Sequence, residues 1–402
     1  MFAKVKLDNS QRCAVHPPAP QEADQVNFAF SDEQELLRSQ ARDFLERECP
    51  PSRVRELMAT PDGYDEAMYR RMAELGWTAI PFPERCGGLG LGLVDMTVVL
   101  EEMGKRLVPS PLQSSVGLAG MTVLAAGSEA QQQRLLPGIC DGSQRATVAL
   151  LEESGSWDAG GVRVRAQRSG DAYLVRGTKL FVADAHVADW MVVAARTAED
   201  SGDGITLLVV DGSAPGVRSR ALDTIDPTRR LFEVAFDGVE VDAGAVLGEP
   251  DRGWHILERS LDAALVAVSA ELCGTAQRAL ELSVDYATTR QQFGRPIGAF
   301  QGVAHRCADM LVSVESAKSL TYYAALAVDS GSSEAPLAAA MAKAYTSDAV
   351  RTVTAGAIQV HGGIGFTWEH DMHLFFRRAK WGEVTLGDAS HHRERVARLL
   401  EL

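Results

Sequence analysis

Apolar residues along this chain change their spacing twice. From Leu36 and Leu37 to Phe44 they recur at helical intervals, behind Ser31-Asp-Glu-Gln34, a capping box in which the serine oxygen and Gln34 can satisfy each other's backbone donors. The spacing predicts further helices around Tyr69–Leu75, over Leu93–Leu107 and over Val116–Leu135, with a glycine-rich loop from Pro81 to Gly92. Near Arg145 the period shortens. Alternating runs start at Val162, Tyr173, Asp189, Gly204 and Leu231, punctuated by Gly and Asp, which predicts a compact β domain. From Gly253 long helices return, over Leu257–Thr289, Val303–Asp329 and Ala335–Val360, with Gly294 and Pro296 expected to end the first. The order is α, β, α, an α+β chain without a short internal repeat. It divides into a polar, proline-containing tail (1–27), an α-helical domain (28–143), a β domain (144–248) and a second α-helical domain (249–402).

Composition narrows the class of partner. The 402 residues suffice for two or three domains around a large core. A formal net charge of -14 disfavours nucleic acid and anionic membrane, which attract basic surfaces. No segment has the roughly 20 apolar residues of a membrane helix, and the N-terminus lacks a secretory signal pattern. The six cysteines, Cys13, Cys49, Cys86, Cys140, Cys273 and Cys307, are scattered, which fits a reducing, cytoplasmic setting. His361, His370 and His373 lie close in sequence, but no third ligand has convincing spacing, so no metal site is expected.

Four strings then stand out, in order: LGWTAIPFPERCGGLGLGLVD, GTKLFVADAHVADWMVVAART, YATTRQQFG from Tyr286, and QVHGGIGFTWEHD from Gln359. They resemble the N-terminal glycine loop, the β-domain segment and the two C-terminal signatures of the acyl-CoA dehydrogenase family, over nearly the whole chain. The resemblance implies an all-α domain, a β-barrel-like domain and a C-terminal four-helix bundle. It implies FAD, an acyl-CoA substrate, a dimer or tetramer and an electron-transfer flavoprotein or other acceptor. The implied reaction is α,β-dehydrogenation: a carboxylate takes the α-proton while the β-hydride passes to the flavin. Such chemistry needs a base near the α-carbon, donors on the thioester oxygen and a dry apolar slot.

In that reading Arg290, Gln292 and Phe293 serve the FAD of a neighbouring subunit. Arg290 suits the diphosphate. Gln359, Gly362 and Gly363 let backbone amides approach the adenosine and diphosphate part of FAD. The glycines also suit a plain helix C-cap, and Phe293 plain core packing.

The departures are more discriminating. The family's base lies after an Arg-x-Ala-Lys string or, in other members, in the first C-terminal helix. Here those positions hold Leu386, after Arg378-Ala379-Lys380, and Ala264. Neither accepts a proton, so the catalytic residue is unassigned. Asp262, Glu271, Glu383 and Asp388 are the substitutes within reach in sequence. The flavin-facing loop reads Leu151-Glu-Glu-Ser-Gly-Ser-Trp157-Asp158, with Leu151 and Trp157 where the family carries hydroxyls. Phe181 and Ala183 stand for a tryptophan and a threonine near the flavin. The asymmetry, with DPTRR from Asp226, resembles actinobacterial members that work as two unlike subunits in an α2β2 tetramer on bulky, steroid-derived acyl-CoA thioesters. This chain then reads as the site-completing subunit, with FAD shared across the interface. The alternatives are a self-sufficient homo-oligomer with a relocated base, and a flavin oxidase or monooxygenase on the same fold.

Overall fold

The computed structural model describes residues 30–198 and 204–402, so the polar tail lies outside the described residues. Helix α1 (Asp32–Glu48) begins as the capping box predicts. The Ser31 Oγ accepts from the Gln34 amide at 3.3 Å, and the Ser31 amide donates to Gln34 Oε1 at 3.0 Å. Helices α2 (Pro51–Met58) and α3 (Glu66–Glu74) lead to the glycine loop, after which α4 (Leu93–Lys105) is buried on most of its surface. The helix expected over Val116–Leu135 is interrupted. A π-helical segment, Gln113–Gly120, continues into α5 (Met121–Ala126), which stops where Gly127 turns extended; Ser128 then starts α6 (Glu129–Cys140) with a second capping box.

The β domain is one sheet built from β1 (Ala146–Ala149), β2 (Arg165–Ser169), β3 (Ala172–Ala183), β4 (Trp190–Arg196), β5 (Ile205–Asp211), β6 (Val217–Leu222), β7 (Leu231–Asp242) and β8 (Val246–Leu247). Its order is β6-β7-β3-β2-β4-β5-β8, with β1 parallel to β4. Strand β4 reads as an unbroken apolar run because both faces are covered. Val192 and Ala194 join the core shared with the helices, whereas Met191, Val193 and Ala195 join the core inside the sheet.

The C-terminal region is organised by α7 (Gly253–Thr289), 37 residues and about 55 Å long. It packs on α4 closely enough to require glycine on both sides. A Cβ on Gly104 would lie 1.9 Å from the Glu271 carbonyl, and one on Gly274 1.9 Å from the Glu101 carbonyl. Helix α7 ends at Thr289, as its pattern predicts, with Arg290 as its extended C-cap, so Gly294 and Pro296 lie beyond its end. Those residues instead shape a hairpin of β9 (Gln291–Gln292) and β10 (Arg295–Pro296), closed by Phe293 (φ 50°) and Gly294 (φ 77°) in left-handed conformations. Helices α8 (Gln301–Asp329), α9 (Ala335–His361) and α10 (Met372–Val384) complete a bundle with α7, and α11 (Ala389–Leu399) lies on α9. No helix among the described residues is long and apolar enough to cross a membrane.

Candidate functional site

The three regions meet at an apolar cavity of about 350 Å³. Leu118 enters from the π-helical segment, Val148, Leu150 and Leu151 from β1 and its exit, and Phe181 and Ala183 from the end of β3. Leu261 enters from α7, and Trp381, Val384 and Leu386 from α10 and its exit. The loop carrying Leu151 and Trp157 is folded around a buried carboxylate. Glu152 accepts the Arg163 and Val164 amides at 2.9 and 3.0 Å and Lys179 Nζ at 2.6 Å. Burial of Lys179 pushes its ammonium down to about 8, opposed by Glu152. Two larger concavities, about 780 and 680 Å³, are open clefts, one on the β domain with Glu152, Glu153, Arg163 and Glu233 in its lining and one beside α3; neither is a closed, dry slot.

Leu386 and Ala264, the two positions where a base was expected, line one small cavity of about 50 Å³ beside the apolar one. The two expected positions thus converge in space, and neither side chain can take a proton. Leu386 even keeps a left-handed backbone (φ 59°) ahead of Gly387 (φ 98°), which leucine adopts at a cost on the order of 1 kcal/mol. The loop is clamped from beneath. Lys343 Nζ donates to the Gly387 and Glu383 carbonyls at 2.8 and 3.2 Å, and His392 Nε2 to the Leu386 carbonyl at 2.8 Å. Burial lowers Lys343 to about 7 and His392 to about 3, so the imidazole is neutral.

None of the four substitute carboxylates lines either cavity. Asp262 is paired to Arg395 at 2.7 Å. Glu383 pairs with Lys380 and Arg351. Asp388 caps α11 by accepting the His391 amide at 2.8 Å. Glu271 is held by both Arg229 and Arg378.

That last pair belongs to a network the sequence pattern did not disclose. Arg378 is fully buried. It bonds Asp226 at 2.7 Å, Glu271 and Thr228, and reaches the Leu107 carbonyl at 3.4 Å. Arg229 bonds Glu271 and the Ser110 carbonyl at 3.1 Å. Two arginines and two carboxylates thus balance where all three regions meet, and the DPTRR string is the part of the β domain that reaches them. One acid and two arginines within five residues, Asp226, Arg229 and Arg230, were the available signal. Asp184, which lines the small cavity, was also missed. Burial raises its carboxyl, eased by a hydrogen bond from Ser114 and by Arg229.

The remaining expected site residues lie elsewhere. Arg290, Gln292, Phe293, Gln359, Gly362 and Gly363 are all exposed, Phe293 at 91%. The stack of Tyr286 on His361, 4.7 Å between centroids, brings the ends of α7 and α9 together, so both groups emerge at one end of the bundle. Phe293 is therefore not core. Gly362 (φ 64°, ψ -141°) does cap α9, in a conformation reserved for glycine. Gly363 has no such need within this chain, since a Cβ there would meet nothing within 4 Å. Phe366 and Trp368 stand uncovered beside it. His361 turns to the Ala357 carbonyl, and His370 accepts the Met372 amide. Among the described residues no three His, Cys, Asp or Glu side chains gather around a metal position.

The two groups of expected site residues are therefore separated along one helix. From Ala264 to Thr289, α7 runs unbroken for about 37 Å. An apolar cavity between a helical domain, a β domain and a helical bundle, with signature loops at the bundle's far end, defines a three-domain oxidoreductase scaffold. Residues 31–143, 147–239 and 251–401 match the models of the acyl-CoA dehydrogenase N-terminal, middle and C-terminal domains, and the chain belongs to the acyl-CoA dehydrogenase family. It is 35% identical to the acyl-CoA dehydrogenase IpdE2 of Mycolicibacterium smegmatis over 92% of this chain and 98% of that one. Butyryl-CoA dehydrogenase from Megasphaera elsdenii superposes with a TM-score of 0.88 at 29% identity, covering 94% of this chain and all of that one. The ChsE4-ChsE5 complex from Mycobacterium tuberculosis gives 0.85 at 29% identity, covering 93% and 99%.

Membership implies FAD, and the residues fit it unevenly. The bundle-end loops, with an exposed arginine and glycines open to solvent, suit a diphosphate. The cavity offers Leu151, Trp157, a half-exposed Phe181 and Ala183 where a flavin ring would need polar holders, and does not fit one well.

Proposed function

We propose that this chain is the site-completing subunit of an α2β2 acyl-CoA dehydrogenase acting on a bulky acyl-CoA thioester. The observation that carries the reading is the separation along α7. The retained loops lie too far from this chain's own cavity to serve the same cofactor, so their cofactor is a partner's. The cavity's two base positions, Ala264 and Leu386, cannot take a proton. FAD, when bound, accepts the hydride leaving the substrate's β-carbon. In the proposed assembly Arg290 pairs with the diphosphate of FAD in the partner, with the Gln359–Gly363 turn beside it. Gln292 and Phe293 cover that cofactor and exclude water. The partner supplies the flavin-ring contacts and the glutamate that removes the α-proton.

The likeness to the ChsE4-ChsE5 complex supports two unlike subunits, and a neighbour described as a steroid ACAD, 31% identical, supports a ring-containing acyl group. An electron-transfer flavoprotein is the acceptor that the family suggests, and the unpaired buried cysteines suit the cytoplasm. Co-expression with a glutamate-bearing family member tests the proposal. The two chains should co-purify as a 2:2 complex with two FAD, half the content of a homotetramer. A complex with four FAD, or no association, contradicts it.

A further inference from the structure

The end of the bundle that carries the exposed loops rests on a pile of rings, three of them imidazoles. Tyr286 near the end of α7 stacks on His361 at the end of α9, and His361 in turn meets His370, each pair 4.7 Å between centroids. His373, on the first turn of α10, lies edge-on to Trp368 at 4.5 Å. Between His361 and His373 runs the turn that bears Gly362, Gly363 and the exposed Phe366 and Trp368. Each imidazole sits where the neutral ring fits and the charged ring does not. His370 Nδ1 accepts the Met372 amide at 3.1 Å, and only an unprotonated ring nitrogen can accept. The His370 carbonyl is meanwhile held by Arg55 of α2 at 3.2 Å. His373 is 7% exposed, and its buried Nε2 has no partner among the described residues, so a charged ring would leave a donor there without an acceptor. Two guanidiniums, Arg377 and Arg55, face it against one carboxylate, Asp371, which Arg55 already pairs with at 2.7 Å. His361 donates from Nδ1 to the Ala357 carbonyl at 2.8 Å and faces Tyr286 and His370. Burial holds both His361 and His373 below the ordinary imidazole range. Charging His361 and His370 together would set two cations in ring contact.

We propose that this cluster is a pH-sensitive latch for the partner-facing turn: neutral imidazoles seat residues 362–374 on the ends of α7 and α9, and protonation releases them. The inference rests on the reading that this end meets a second subunit, and adds the condition under which it does so. The released turn takes up protons that the seated turn refuses, so release is favoured as pH falls through the ordinary imidazole value of about 6.5.

The test follows backbone amide exchange by mass spectrometry in the isolated full-length chain, with rates corrected for the intrinsic effect of pH. Between about pH 7.5 and about pH 5.5, residues 362–374 should lose about tenfold in protection, the worth of one hydrogen bond, while residues 338–357 of α9 keep theirs. His370→Asn puts an amide oxygen in place of Nδ1, so it still accepts the Met372 amide but does not titrate. It should match the unaltered chain at the higher pH and abolish the loss at the lower one. His370→Ala can accept nothing and should show the low protection at both. No loss in the unaltered chain, a loss that persists in His370→Asn, or full protection in His370→Ala would overturn the proposal. In the 2:2 complex the same pH step should release the partner from the unaltered chain and not from His370→Asn; a complex of the unaltered chain that persists at the lower pH would overturn it too. If no complex forms at either pH, the subunit assignment fails while the exchange measurement still decides the latch, so the two failures are distinguishable.

Discussion

The two ends of α7 have kept different things. At the C-terminal end the exposed loops carry the signature residues: Phe293 meets Phe300 edge to face within the chain yet stays 91% exposed, and a Cβ on Gly363 would meet nothing within 4 Å. At the other end Leu386 has a left-handed backbone held by the clamp beneath it, and the two expected base positions, Leu386 and Ala264, carry no proton acceptor. A chain that had merely lost function would have no reason to preserve the exposed end. One that worked alone would need both. The difference is what the proposed assembly accounts for, with the exposed side chains facing a partner.

The largest expected effect removes the junction that holds the cavity end together. Arg378→Ala leaves Asp226 and Glu271 buried without their shared partner and should destabilise the fold by about 3–5 kcal/mol, read from chemical denaturation. If that loss is under about 1 kcal/mol, the cavity end is not organised by this network. At the other end, Arg290→Ala should leave the chain's stability within about 0.5 kcal/mol. It should instead weaken FAD binding by the complex about 10- to 100-fold, the worth of a charged hydrogen bond. A variant that changes the stability of the isolated chain but not the cofactor affinity of the complex would reverse the assignment of that end.

The clamp under Leu386 gives a pH signature. His392 is buried and held to about 3, whereas in the unfolded chain it titrates near 6.5. Between these values the unfolded state binds the extra proton, so stability is complete above about 6.5 and falls as pH drops. From pH 6.5 to 5.0 the unaltered chain should lose up to about 2 kcal/mol relative to His392→Gln. Parallel profiles for the two proteins would show that the clamp is not formed. Smallest is Phe293→Ser, expected to shift the isolated chain's stability by less than about 0.5 kcal/mol because the ring is exposed. A larger loss would return Phe293 to the chain's own core.

Long periodic elements were legible in the sequence. Helices α7 and α9 start and stop within a few residues of their patterns, because burying one stripe of a long helix repeats the same signal many times. Strand β1 has four residues, all buried, and β6 alternates only weakly, so neither carries a period to read. Among the candidate site residues, the motifs disclosed which side chains were absent. They did not disclose that Leu386 and Ala264 share one cavity, nor that Arg378 meets carboxylates 152 and 107 residues away. Such convergence depends on packing between elements, which no local spacing records.

The central claim, that this chain lends residues to a flavin it does not itself hold, is most directly tested by purifying it alone and measuring bound FAD and turnover. The account predicts a colourless protein with far less than one flavin per chain and no acyl-CoA dehydrogenation. A yellow protein with one FAD per chain that oxidises an acyl-CoA would contradict it.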